Sequence, residues 1–173
     1  MTRRQLLASA TVFPALLKPA LALDLISVTE FSAAGEPLGS KSLPKIHKVD
    51  GEWRRVLTPL AYEVTRRAGT ERAFTGPGWN NHADGLYRCV CCDTVLFDSK
   101  TKFESGTGWP SFYRPIAASN VRETRDASWV EVRTAVSCAR CDAHLGHVFG
   151  DGPRPTGLRY CMNAVALKFV PRA

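Results

Sequence analysis

Two cysteine pairs with the same spacing constrain this chain more than any other feature of its sequence. Cys89 and Cys92 are separated by two residues, and Cys138 and Cys141 repeat that spacing downstream. In a C-x-x-C turn both sulfurs can point to one centre, and four thiolates complete the tetrahedral set that zinc prefers. Four protein ligands leave no open position, so the sequence predicts one structural Zn²⁺ per chain. This ion would join the segments near residues 90 and 140 and contribute to folding directly.

Three other interpretations of these cysteines are weaker. A thioredoxin-like redox pair would need a β-α-β context, which the surrounding sequence does not have. Two simple disulfides would suit an exported protein, but the matched spacing favours a metal. A mixed site that uses His144 or His147 is disfavoured because four thiolates already saturate zinc. Cys91 lies inside the first pair, and we expect it to take no part in metal binding.

Residues 1–22 have the features of a cleaved export signal. Arg3 and Arg4 precede a short apolar stretch, and the small residues at 20–22 suit a signal peptidase. The stretch "TRRQLL" also resembles the twin-arginine signal. The apolar stretch is too short to span a bilayer, so we predict a periplasmic or otherwise exported protein without stable membrane insertion. An ordinary amphipathic helix is the alternative.

Part of the positive charge of the chain belongs to that signal. The formal net charge is +7, and residues 1–22 include three basic and no acidic residues, so their removal leaves +4. A mild basic excess does not require a polyanionic partner. We therefore expect this protein to bind no nucleic acid.

The rest of the sequence predicts a mainly β protein with two short helices near its start. Residues 23–49 contain two β-like runs separated by glycines, as in a hairpin or an extended arm. Asp50 and Thr58 are suited to be the N-caps of two helices. Short β-rich runs then alternate with Gly, Pro, Asn and Asp, so residues 50–173 are assigned to one antiparallel β domain.

One cysteine, Cys161 in "LRYCMN", stands apart from the pairs. If the last strand runs from residue 159 to 169, the alternation of side chains places Arg159, Cys161 and Asn163 on one face. A guanidinium close to a thiol favours the thiolate and lowers the pKa of the cysteine, which prepares a nucleophile. A small buried cysteine that packs as a hydrophobic side chain is the alternative.

Two further segments carry side chains suited to catalysis. The glycine-rich stretch "SGTGWPSF" presents Trp109, and "HLGHVF" contains His144 and His147. Histidine donates and accepts protons near neutral pH. Taken singly, each of these residues is more often structural than catalytic.

Together these segments are similar to the methionine-R-sulfoxide reductase B family. The stretches that carry the resemblance are "TPLAYEVTRRAGTERAFTG", "NNHADGLYRCVCCDTVLF", "SGTGWPSFYRPI" and "CDAHLGHVFGDGPRPTGLRYCMNAVALKF". The resemblance implies two antiparallel core sheets and a zinc site on the side away from the active site. It implies four catalytic residues (Cys161, His147, His144 and Arg159) and three substrate-binding residues (Trp109, Asn163 and the less certain Asp151).

The resemblance also implies the reaction, which is reduction of the R epimer of methionine sulfoxide. The Cys161 thiolate attacks the sulfoxide sulfur, Trp109 holds the methyl group, and His147 or His144 donates a proton to the oxygen. Methionine leaves and Cys161 becomes a sulfenic acid. The implied partners of this monomeric enzyme are oxidised proteins or peptides and a thioredoxin-like reductant.

One position departs from the family pattern. Thr107 stands where many members have a second, resolving cysteine, and threonine cannot form the disulfide that removes the sulfenic acid. We therefore expect direct reduction of Cys161 by an outside thiol. The rival functions are a zinc-ribbon binding module and a disulfide-stapled secreted domain, and the export signal and the lone thiol argue against the first.

Overall fold

The computed structural model describes residues 24–127 and 132–173. The predicted export signal, residues 1–22, lies outside the described residues. Among the described helices, none has the length and the apolar character needed to cross a membrane.

Eleven strands and two α-helices form the described part of the chain. The first elements are strands β1 (Leu25–Phe31) and β2 (Pro37–Pro44), followed by helices α1 (Asp50–Val56) and α2 (Pro59–Arg67). The later strands are β3 (Gly85–Cys89), β4 (Val95–Asp98), β5 (Lys102–Phe103), β6 (Ser111–Phe112), β7 (Val121–Asp126), β8 (Arg133–Cys138), β9 (His144–Phe149), β10 (Arg159–Met162) and β11 (Leu167–Pro171). Three short 3-10 turns, Ser99–Thr101, Ala118–Asn120 and Ala164–Ala166, connect some of these strands.

Two antiparallel sheets form the core, as predicted. One has six strands in the order β5-β6-β10-β9-β8-β7, and the other has three in the order β11-β3-β4. Apolar side chains of both sheets and of the two helices fill one core, in which the rings of Phe97 and Phe112 stack with centroids 4.4 Å apart. The predicted mainly β fold with two short helices is confirmed.

Strands β1 and β2 form a separate hairpin that Asn120 fastens to the core. The buried Asn120 side chain accepts a hydrogen bond from the Thr29 N–H and donates to the carbonyl oxygens of Thr29 and Val95, each at 2.8 Å. Just beyond the hairpin, the Ile46 N–H donates to the Arg140 carbonyl in the second cysteine turn at 2.8 Å. The Asn120 amide thus binds the N–H and the C=O of one β1 residue, as a neighbouring strand would.

One of the two predicted helix N-caps is confirmed, and the other is wrong. Thr58 is the N-cap of α2, and its Oγ1 accepts the Ala61 N–H at 3.2 Å, which confirms the prediction. Asp50 is not a cap but the first residue of α1, and Val49 is the N-cap. The Glu52 carboxylate accepts the Val49 N–H at 3.0 Å and stabilises this helix start without a capping hydroxyl.

The prediction of one continuous last strand from residue 159 to 169 is wrong. β10 ends at Met162, a 3-10 turn covers Ala164–Ala166, and β11 begins in the other sheet. The turn forms because the buried Glu71 carboxylate accepts the N–H groups of Ala164 at 2.5 Å and Val165 at 3.0 Å. These donors are therefore satisfied without a neighbouring strand. Glu71 lies more than ninety residues away along the chain, so no local pattern reveals the break.

Candidate active site and metal centre

Cys161 lies inside the six-stranded sheet, between two neighbouring strands. On β10 it is paired with His147 of β9 and with Ser111 of β6. Gly146 permits the close approach of β9, since a Cβ at that position would lie 2.1 Å from the Cys161 carbonyl oxygen. Cys161 opens on a cavity of about 120 Å³ lined by Thr70, Trp109, Arg133, Gly146, His147, Phe149, Cys161, Met162 and Asn163.

Arg159 is held beside Cys161 by Asp151. The Arg159 Nε and Nη2 atoms donate to the two Asp151 carboxylate oxygens at 2.9 and 2.8 Å, and its guanidinium lies 4.4 Å from the centre of the Phe149 ring. Asp151 is exposed and does not line the cavity, so its contact with the site passes through Arg159.

Burial has the largest effect on the acidity of the Cys161 thiol. Burial raises the pKa of the Cys161 thiol above its usual value, while the Thr107 hydroxyl and the Arg159 charge lower it by less. The lowering effect of Arg159 expected from the sequence is therefore present but is outweighed by burial.

His144 and His147 lie on one strand but in different surroundings. A regular strand would place residues three apart on opposite faces, but the bulge where β9 pairs with Val136 and Ser137 brings the two rings to 5.2 Å, edge to face. His147 lines the cavity, and its Nε2 is 2.9 Å from the Asp126 carboxylate. Burial, and then the charge of His147, lower the pKa of His144 to about 4. His144 is thus neutral near pH 7, and among the described residues its buried Nε2 has no hydrogen-bond partner.

Trp109 and Asn163 form two walls of the cavity, and the backbone of Glu71 fixes both. The Trp109 indole N–H donates to the Glu71 carbonyl at 3.2 Å. Asn163 accepts the Glu71 N–H at 3.0 Å and donates to the Leu145 carbonyl at 3.0 Å. The Trp109 ring is therefore a fixed apolar surface in the lining of the cavity.

A chain of three hydroxyl groups lies beside the Cys161 sulfur. The Thr107 Oγ1 is 3.8 Å from the Cys161 Sγ. The Ser105 hydroxyl is 2.8 Å from that of Thr107 and 2.7 Å from that of Ser111, so it joins the two. Residue 107, the position expected to hold a resolving cysteine in many relatives, thus places a hydroxyl group beside the Cys161 sulfur.

Two residues that organise the site, Asp126 and Glu71, are not singled out by the sequence. Asp126 ends a strand of mostly exposed polar residues, "VRETRD", whose charges suggest a solvated face. Glu71 occurs in "TERAFTG", which contributes only to the family resemblance. Their partners lie 21 or more residues away, so only the folded chain brings them together.

The four paired cysteines converge on one point, as expected for a metal centre. Their sulfur atoms all lie within 4.8 Å of one another, with 3.7 Å between Cys89 and Cys141 and 3.5 Å between Cys92 and Cys138. Tetrahedral zinc with bonds of about 2.3 Å separates its sulfur ligands by roughly 3.8 Å, so the spacing fits this ion. Neither Cys91 nor a histidine belongs to the cluster.

The two cysteine turns have matching backbone geometry. In the first, the Asp93 N–H donates to the Cys89 carbonyl at 2.9 Å, and in the second the Asp142 N–H donates to the Cys138 carbonyl at 3.0 Å. Asp93 and Asp142 both have left-handed backbone conformations, with φ of 61° and 55°. Each turn thus directs both of its thiols to one side.

Comparison with known proteins agrees with this geometry. The SelR domain family matches residues 57–171. The chain is 59% identical over 130 residues to the peptide methionine sulfoxide reductase MsrB of Pseudomonas putida strain W619, which covers 75% of this chain and 98% of that protein. It is 58% identical to the Pseudomonas fluorescens MsrB over 75% of this chain and 100% of that protein. It is 61% identical to the chloroplastic peptide methionine sulfoxide reductase B1 of Arabidopsis thaliana over 69% of this chain and 59% of that protein.

Replacing one metal ligand should remove the metal and the stability together. For Cys138→Ser we expect loss of the bound metal, measured by elemental analysis of the purified protein. We also expect a loss of about 4 kcal/mol or more in the free energy of unfolding, because metal binding is coupled to folding. Cys91→Ser is the matched control from the first cysteine turn and should keep both metal and stability. Loss of metal in the control would show that the ligand set is wrong.

Removing the guanidinium should make Cys161 less acidic. For Arg159→Ala we expect the pH profile of thiol alkylation to move to higher pH, because a positive charge that lowers the pKa is lost. At a fixed pH below the pKa, the alkylation rate should fall about threefold to tenfold. Arg159→Lys keeps the charge and should restore most of the rate. An unshifted profile for Arg159→Ala would contradict this coupling.

Proposed function

The chain belongs to the SelR, or MsrB, family of peptide methionine sulfoxide reductases, and we propose that it reduces the R epimer of methionine sulfoxide with Cys161 as the nucleophile. The observation that carries this proposal is the cavity in which the Cys161 thiol, the Trp109 indole and His147 meet. Reduction of methionine sulfoxide is the activity of the family. The epimer, the mechanism, the reductant and the site of action are the proposed parts.

The first step is attack by the Cys161 thiolate on the sulfoxide sulfur. The sulfoxide oxygen passes to the cysteine sulfur and takes up one proton, so thiolate, sulfoxide and proton give sulfenic acid and methionine. His147 is the proposed proton donor because it lines the cavity of Cys161, whereas His144 does not. Asp126 holds the His147 Nε2, so the other ring nitrogen, Nδ1, is the one left for the substrate.

Three fixed points would select one hand of the sulfoxide. The sulfur must face Cys161, the oxygen must face His147, and the methyl group must lie against Trp109. The S epimer exchanges the positions of oxygen and methyl, which puts a polar oxygen on the indole and an apolar methyl beside the imidazole. This arrangement supports selectivity for one epimer, and the family indicates that the epimer is R.

Cys161→Ser should abolish reduction while the fold and the metal remain. The measurement is conversion of the separate R and S sulfoxides of N-acetyl-methionine amide, with dithiothreitol as the reductant. We expect the unmodified protein to reduce only the R epimer and Cys161→Ser to reduce neither. Substantial activity in the serine variant, or equal use of both epimers by the unmodified protein, would refute the assignment.

We propose that an outside thiol, either small or on a thioredoxin-like protein, returns Cys161 to its reduced form. A first thiol displaces water from the sulfenic acid to give a mixed disulfide, and a second thiol releases the Cys161 thiol. Thr107 supplies a hydroxyl and no thiol next to the sulfur. Cys91 packs by the metal-binding cysteines, where it contacts Cys89 and Cys141. An internal disulfide with Cys161 is therefore not expected.

Restoring a thiol at residue 107 should change how the cycle ends. In Thr107→Cys, one turnover without reductant should give a disulfide between the new cysteine and Cys161, because the Thr107 Oγ1 is already 3.8 Å from that sulfur. Peptide mapping detects the bond. Thr107→Ser is the control and should leave a sulfenic acid that can be trapped chemically. A Cys91–Cys161 disulfide in either protein would overturn the proposed recycling.

We propose zinc as the metal and a structural role for it. Four thiolates favour zinc over the harder divalent ions, and a closed four-cysteine set has no open position for a substrate. Cys89 ends β3 and Cys138 ends β8, so the ion would join the two core sheets. Its contribution to the reaction would be to hold the scaffold.

We propose that the protein acts after export from the cytoplasm, on the strength of the twin arginines and the apolar stretch in residues 1–22. The exported form should begin at Leu23, which N-terminal sequencing of the periplasmic fraction determines. Exchange of Arg3 and Arg4 for lysine should block export by the twin-arginine route. Unchanged export of that variant would instead favour the general secretory route, and an uncleaved cytoplasmic protein would refute the signal.

A further inference from the structure

Phe74 lies beside the loop that carries the cavity residue Trp109 and has an unusual backbone conformation. Its φ is +66°, in the left-handed region that bulky side chains rarely adopt. Its side chain is nevertheless 55% exposed, so the strained backbone does not serve to bury the ring. Strained residues at the edge of a site are often kept for function.

The Phe74 ring is attached to the loop that carries Trp109. The Phe74 N–H donates to the Gly108 carbonyl at 2.8 Å. The ring occupies the space of a side chain at Gly108, where a Cβ would lie 2.7 Å from a ring carbon. Trp79 packs edge-on against the ring, with centroids 5.1 Å apart and planes at 87°. We call Phe74 and Trp79 the aromatic ridge.

The ridge is joined to the lining of the cavity through the loop of Gly108 and Trp109. The catalytic cavity of about 120 Å³ has room for one side chain, so the flanking residues of a polypeptide substrate remain on its rim. Gly108 precedes the cavity residue Trp109, and it touches Phe74. Aromatic rings offer a large contact area with little loss of conformational entropy.

We propose that the aromatic ridge binds an apolar side chain adjacent to methionine sulfoxide in an unfolded, oxidised polypeptide. This inference rests on the proposed function and adds to it a preference for apolar residues next to methionine sulfoxide. It also assigns a specificity role to Phe74 and Trp79. The strained backbone of Phe74 holds the ring outward, where a polypeptide can cover it.

The test compares substrates that differ only in the residues beside methionine-R-sulfoxide. One is N-acetyl-methionine-R-sulfoxide amide, which has no neighbours, and two are blocked tripeptides with leucine or glycine on both sides. Phe74→Asn removes the ring but keeps a residue that tolerates the left-handed conformation, and Phe74→Tyr keeps the ring. Trp79→Ala tests the other half of the ridge if Phe74→Asn fails to fold.

For Phe74→Asn we expect kcat/KM on the leucine tripeptide to fall roughly threefold to tenfold, mainly through KM, as loss of one partial aromatic contact implies. The values for the blocked amino acid and the glycine tripeptide should not change, and Phe74→Tyr should behave as the unmodified protein. Equal loss on all three substrates would show that Phe74 only positions the Trp109 loop. An unchanged kcat/KM on all three substrates would show that the ridge does not contact the substrate. Inactivity of the unmodified protein on every sulfoxide would instead refute the proposed function.

Discussion

The geometry of the site depends on the hydrogen bonds of the buried residue Glu71. Its oxygens accept the N–H groups of Ala164 and Val165, and its backbone binds Asn163 and the Trp109 indole. Burial raises the pKa of Glu71, and the two backbone donors partly oppose that effect. The side chain of Glu71 therefore ends β10, and its backbone fixes a wall of the cavity. This one residue connects a loop after α2 to the C-terminal part of the chain.

Two of the connections between the core sheets lie close to a strand that carries a predicted site residue. The turn at Ala164–Ala166 leads from β10 in the six-stranded sheet to β11 in the three-stranded sheet. The cysteine cluster joins β3 of the smaller sheet to β8 of the larger one. Ala135 of β8 is paired with His147 of β9, and His147 is paired on its other side with Cys161 of β10. The strand of His147 therefore lies between the strand of Cys161 and the strand that ends in a cysteine of the cluster.

The sequence predicted what is encoded by short motifs and did not predict what depends on distant contacts. The metal ligands follow from two local spacings, and Thr58 follows from local capping chemistry. The break after Met162 was missed because a carboxylate far along the chain satisfies the next backbone donors. Asp126 was missed because an acid in a polar strand looks like surface until β8 and β9 bring His147 to it. The acidity expected for Cys161 was inferred from one neighbouring charge, and the degree of burial that outweighs this charge cannot be derived from a sequence.

The central claim is that Cys161 itself receives the sulfoxide oxygen. A single turnover without reductant tests it most directly, with a large excess of N-acetyl-methionine-R-sulfoxide amide over protein, counting of the methionine product, and mass analysis of the peptide that contains Cys161. The predicted result is about one methionine product per chain and one added oxygen on Cys161, with no change at the other five cysteines. Absence of product, or product formed while Cys161 remains an unmodified thiol, would contradict the account.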